Sequence, residues 1–109
     1  MILREWRAEI RRDLRDEYVA YVYLTGIETY RKTPGNLFAL AATRDIDNAR
    51  SEIVTLSGWE SMDAVRAFAG DDPSRARYFP EDDRYLLTRP AEVKHYTVRH
   101  SDGGAPSLP

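Results

Sequence analysis

Between Ile2 and Ile10, apolar and charged side chains alternate. Ile2, Trp6, Ala8 and Ile10 fall on one side with Arg4 among them, while Leu3, Glu5, Arg7 and Glu9 fall on the other. That period of two predicts a strand. The period then changes. Leu14, Tyr18, Val22 and the group around Thr25 recur at helical spacing, with no proline before Pro34, which predicts a long helix from about Arg12 to Lys32. Tyr18 to Leu24 is rich in strand-favouring residues. The charged approach Arg11-Arg12-Asp13 and the length of the unbroken segment decide for helix. Gly26 inside it costs about 1 kcal/mol relative to alanine, so a kink or a close contact is expected there.

Thr33-Pro34-Gly35-Asn36 reads as a turn, because proline presets φ and glycine supplies a positive one. Leu37 to Arg44 follows as a strand, Asp45-Ile46-Asp47-Asn48 as a hairpin turn, and Glu52 to Trp59 as the returning strand. Ser61 is placed to cap a second helix, with Asp63 in its first turn. Met62, Val65, Phe68 and Ala69 form that helix's apolar stripe, and Gly70 ends it. Asp72-Pro73 predicts a short third helix through Tyr78. Pro80-Glu81-Asp82-Asp83 repeats the signature before Tyr85-Leu86-Leu87. Glu92 to Arg99 is the last strand.

The order β-α-β-β-α-β predicts an α+β fold of the ferredoxin-like kind, a four-stranded antiparallel sheet with helices on one face. Residues 1–100 form the domain, and 101–109, with two glycines and two prolines, a disordered tail. Trp6, Trp59, Phe38 and the aromatics of the last strand are expected to make the uncovered face apolar. A second copy would then cover it, giving a homodimer through the sheet faces. In the alternative, these residues lie beneath the helices and the open face is polar.

Composition narrows the function. At 109 residues the chain is one domain by length. Its net charge is −2 with both signs mixed along it, without the basic stripe that nucleic-acid binding requires. The absence of cysteine excludes disulfides, thiolate nucleophiles and cysteine-ligated metals. No apolar run approaches the roughly 20 residues that span a bilayer, and charges interrupt the segment Met1 to Trp6. A cytoplasmic protein is expected. No nucleophile elbow, phosphate loop or nicotinamide fingerprint is present.

Three stretches carry a resemblance: Leu56 to Gly70 (LSGWESMDAVRAFAG), Arg77 to Asp82 (RYFPED) and Val93 to Tyr96 (VKHY). Together they resemble the antibiotic biosynthesis monooxygenase family over about residues 2 to 99. The resemblance implies a dimeric α+β barrel with a pocket between sheet and helices in each subunit. It does not imply one chemistry, since that family includes cofactor-free oxygenases of aromatic compounds, haem-degrading enzymes and members without demonstrated activity. The haem-degrading branch uses an asparagine, a tryptophan and a histidine at positions matched here by Trp6, Phe68 and Tyr78. Loss of the histidine removes the usual iron ligand. A cofactor-independent oxygenase of a small phenolic or quinol-like compound, with no metal, fits the resemblance better. A non-catalytic ligand-binding or structural homodimer is the alternative.

His95 and Tyr78 are the catalytic candidates. His95 is the internal group that titrates near neutrality and could deprotonate a phenol; it could equally be a strand histidine satisfied by a neighbouring carbonyl or carboxylate. Trp6, Trp59, Tyr85 and Phe68 are candidates to line a flat pocket, with Phe68 at core spacing and Tyr78 and Tyr85 flanking Pro80. Arg4 stands among apolar residues, where a guanidinium needs a partner or an anionic ligand unless the register slips.

Overall fold

The computed structural model describes residues 1–103. β1 (Ile2–Arg11) is a central strand, pairing antiparallel with β3 (Arg50–Trp59) on one side and the short β4 (Lys94–Thr97) on the other. β2 (Asn36–Asp45) completes the sheet beyond β3, giving the order β2-β3-β1-β4. This is the ferredoxin-like arrangement, one antiparallel sheet with its helices on a single face. The tail expected at 101–109 falls largely on residues 104–109, which lie outside the described residues.

The predicted long helix runs from Arg12 to Lys32 in four continuous pieces. A 3₁₀ turn (Arg12–Leu14) leads into α1 (Arg15–Val22), a π-helical turn (Tyr23–Ile27) and α2 (Glu28–Lys32). The buried positions explain the π turn. Tyr18 and Val22 are four apart, but the next buried side chain, Ile27, is five further on. A regular α-helix would carry Ile27 off the core face. One extra residue in the turn, closed by the Glu28 N–H bonding to the Tyr23 carbonyl, brings it back. Gly26 lies in this widened turn. The expected close contact is absent, since a Cβ built on Gly26 meets nothing within 4 Å.

Ser61 caps α3 (Met62–Ala69) as expected, its Oγ accepting from the Ala64 N–H at 3.2 Å, and Gly70 ends it at φ 85°. The predicted helix from Asp72 to Tyr78 does not form. Its backbone is drawn into pairing with a distant segment: the Ala76 N–H bonds the Ala91 carbonyl at 2.9 Å, and the Val93 N–H bonds the Ser74 carbonyl at 2.7 Å. This segment is a strap across the domain. That pairing also takes Glu92 out of the last strand, which is shorter than predicted. Pro80–Arg84 forms a 3₁₀ turn. Residues beyond it cover the free edge of β1, with the Arg11 N–H bonded to the Tyr85 carbonyl and the Leu87 N–H to the Glu9 carbonyl.

The register of β1 against β3 is unbroken from Ile2↔Trp59 to Arg11↔Arg50, which fixes the residues of each sheet face. Ile2, Arg4, Trp6, Ala8 and Ile10 share the helix-covered face with Ser51, Ile53, Thr55, Ser57 and Trp59. This corrects the expectation that Trp6 and Trp59 look outward. Trp59 is fully buried, its Nε1–H bonded to Ser57 Oγ at 2.9 Å, and packs against Phe68 and Tyr30. Phe38 and Tyr96 do lie on the open face. There Phe38, Gly58, Leu3 and Tyr96 form one row across the four strands, with Leu40, Leu56 and Val54 in the rows beside it. The Phe38 ring covers Gly58 so closely that a Cβ there would meet it at 2.4 Å. Toward the other end the same face is charged, with Glu52 paired to Arg7 and Arg44, and Arg50 to Glu9.

Candidate functional site

The floor of the covered face carries small residues in its middle rows: Ala41 beside Thr55, and Ala39 beside Ser57. Of these, Thr55 lines a cavity of about 350 Å³ between sheet and helices, at the small end of the range for ligand pockets. Trp6, Arg4 and Thr55 form its floor. Tyr21, Thr25 and Gly26 of the α1–π segment form one wall, and Phe68 with Tyr78 of the strap form another.

Arg4 is the least expected group. It is 7 % exposed and enters no ion pair among the described residues. Its Nη1 donates to the Pro73 carbonyl at 2.7 Å and lies 2.8 Å from His95 Nε2, and its Nε is buried without a partner. The Phe68 ring lies 5.9 Å from the guanidinium carbon, close enough for a cation–π contact. Dipoles and a ring face offset this charge; no carboxylate neutralises it.

His95 is tied to that arrangement. An arginine can only donate, so Nε2 of His95 must be the acceptor, and the imidazole is neutral with its proton on Nδ1. Burial and the adjacent guanidinium both hold its pKa below the ordinary histidine value. His95 does not line the cavity; it borders a shallow depression with Ser74, Glu92 and Lys94.

Tyr78 lines the cavity, but its hydroxyl is engaged twice. It accepts from Trp6 Nε1 at 3.1 Å and donates to the Pro90 carbonyl at 2.6 Å. Burial raises its pKa, against the Trp6 N–H, which lowers it. Asp82, missed as a site residue in the sequence because it reads as a helix start, is buried at the cavity edge. It accepts from the Tyr18 hydroxyl at 3.2 Å and the Phe79 N–H at 2.7 Å. Burial, with the Asp82 carboxylate next, pushes the Tyr18 phenol well above its usual range.

Of the candidates named from sequence, the cavity therefore brings together Arg4, Trp6, Phe68 and Tyr78. Trp59 packs behind Phe68 in the core, and Tyr85 stacks with Tyr21 and packs, tilted, against Tyr18. Neither Trp59, Tyr85 nor His95 reaches the cavity. Among the described residues no group of three or more His, Asp or Glu side chains is arranged to hold a metal, and no helix is long and apolar enough to cross a membrane.

The fold has a counterpart among solved structures. The chain is similar to a Bacillus cereus protein named only provisionally as an antibiotic biosynthesis monooxygenase, with a TM-score of 0.65 over 94% of this chain and 97% of that one. Sequence identity between them is 15%. At that distance the likeness establishes the fold and leaves the chemistry to the site. No family model matches the chain, and no curated protein sequence matches it.

Proposed function

We propose that this protein takes a small, planar, hydroxylated aromatic compound into the cavity and oxidises it with molecular oxygen without a cofactor. The observation that carries this reading is a buried guanidinium, in no ion pair among the described residues and with its Nε unpartnered, in the lining of an aromatic-walled cavity. Such a charge, in a site of low dielectric, stabilises a phenolate far more than water would. A phenolate or quinol anion is electron-rich enough to react with oxygen directly. A phenol with a free para position and one oxygen molecule then yield a quinone and one water. The protein contributes orientation, charge stabilisation and exclusion of bulk water. In this reading His95 orients Arg4 instead of acting as the base, because its Nε2 lone pair is already occupied. Tyr78 acts as a strut between Trp6 and Pro90.

A second reading, binding without turnover, is favoured by one specific observation. Neither His95 nor Tyr78 offers a free proton acceptor to the cavity. In either case the apolar row of the open face is proposed to be covered by a second copy, forming a homodimer.

A panel of hydroxylated aromatics, assayed for oxygen uptake without added metal or flavin, decides between the two readings, with binding followed through Trp6 fluorescence. Oxygen uptake with quinone formation supports the oxygenase. Binding without uptake across the panel moves the protein to the second reading, and no binding at all removes both.

A further inference from the structure

The arginines of this protein divide in an informative way. Nine of the fourteen stand in ion pairs. Among the described residues Arg4, Arg31, Arg75, Arg77 and Arg99 do not, and three of these, Arg4, Arg75 and Arg77, line the cavity. The cavity's one acidic side chain, Asp82, already accepts from Tyr18 and Phe79 through its two oxygens. Positive charge is thus concentrated around an apolar space, and the acid nearby is committed elsewhere.

The donors of Arg4 are divided as well. Nη1 is used on Pro73 and His95, while among the described residues neither Nε, which is buried, nor Nη2 makes a hydrogen bond. The Nε–Nη2 edge of a guanidinium presents two parallel N–H groups, the spacing that matches the two oxygens of a carboxylate. A neutral His95 and the Pro73 carbonyl hold the opposite side of the group, which fixes the fork's direction. A buried donor left unmade is costly in the empty protein, and a bidentate anion would satisfy it.

We infer that the ligand of this cavity is an aromatic carboxylate, its acid group held bidentately by the Nε–Nη2 edge of Arg4 and its ring between Trp6, Phe68 and the π turn. The inference rests on the aromatic cavity proposed above and narrows its ligand class. The carboxylate supplies the permanent charge that a neutral phenol lacks. Arg75 and Arg77, at more exposed positions, add attraction along the way in. A free phosphate would also be attracted, but it presents no apolar ring to the aromatic walls.

The test compares 2-naphthoate with its uncharged analogues 2-naphthamide and 2-naphthol, and with inorganic phosphate as competitor. Each is titrated against the protein, its Arg4→Met variant and its Arg4→Lys variant, using Trp6 fluorescence and calorimetry. The acid should bind the unmodified protein at least about tenfold tighter than the amide, as expected for a charge-assisted bidentate pair in place of a neutral contact. Arg4→Met should bring acid and amide to parity. Arg4→Lys, which keeps the charge but not the fork, should retain only part of the preference. Millimolar phosphate should not displace the acid. Equal binding of acid, amide and naphthol to the unmodified protein would overturn the carboxylate assignment and leave the aromatic cavity standing. Undiminished acid preference in Arg4→Met, or displacement by phosphate, would overturn Arg4 as a carboxylate receptor. Failure of every aromatic would remove both this inference and the function on which it rests. Should Arg4→Met not fold, the acid–amide comparison on the unmodified protein and Arg4→Lys carry the test.

Discussion

Replacing Tyr78 with phenylalanine removes one oxygen atom and leaves the ring in place, so its effect can be worked from two contacts. The hydroxyl accepts from Trp6 Nε1 at 3.1 Å and donates to the Pro90 carbonyl at 2.6 Å, both partly buried. Each such bond contributes about 1 kcal/mol net, so their joint loss costs about 2 kcal/mol. No cavity forms, because the ring still packs beside Trp6, with centroids 6.3 Å apart. For a chain of this length, 2 kcal/mol corresponds to roughly 9 °C in melting temperature. Urea denaturation followed by far-UV circular dichroism, at fixed protein concentration, should show a lower midpoint at unchanged slope. A double-mutant cycle with Trp6→Phe isolates the Trp6–Tyr78 bond and should return a coupling of about 1 kcal/mol. A loss below about 0.5 kcal/mol with no coupling would refute the strut. Loss of oxygen uptake at full stability would instead make the hydroxyl a reacting group.

Gly26→Ala should stabilise the protein by about 0.5–1 kcal/mol, because the new methyl group enters open space and alanine favours a helix; a lower denaturation midpoint would contradict the open wall. His95 has a pKa below 6.5 in the folded chain, through burial and then Arg4, so as pH falls the unfolded chain binds this proton first. Stability from this group is complete above about pH 6.5 and declines below it, and His95→Gln should flatten that limb of a pH-dependent denaturation series; an unchanged slope would exclude His95 as its source. Light scattering at micromolar concentration should give twice the 12.6 kDa chain mass. Leu56→Glu, in the apolar rows of the open face, should yield the monomer, and a monomer without the substitution would rule out the sheet-face dimer. Added haemin should produce no histidine-type Soret shift and no reductant-dependent ring opening, since Trp6, Phe68 and Tyr78 crowd the cavity and no histidine lines it among the described residues.

Local signals in the sequence determined the elements and their order. Alternation along Ile2–Ile10, the Ser61 cap, the Gly70 stop and the Pro34-Gly35 turn each act within a few residues, and each was legible for that reason. The five-residue step from Val22 to Ile27 was not among them: the helical period points to the group around Thr25, and only burial in the fold identifies Ile27 as the next core position. Alternation defines two faces of a strand but not which one the helices will cover, because that is decided by how distant elements pack. Trp6 and Trp59 were therefore placed on the wrong side, while Arg4 was correctly seen to share a face with them. The Asp72–Tyr78 segment carried a helix signal that lost to pairing with residues 91–93, a contact no local pattern announces. The site is long-range throughout. Arg4 meets His95 across 91 positions, Trp6 meets Tyr78 across 72 and Tyr18 meets Asp82 across 64. The residue types were visible one by one. Only the closing of the sheet against the π turn and the strap left a cavity among them, turned His95 away from it, and left one edge of Arg4 without a partner.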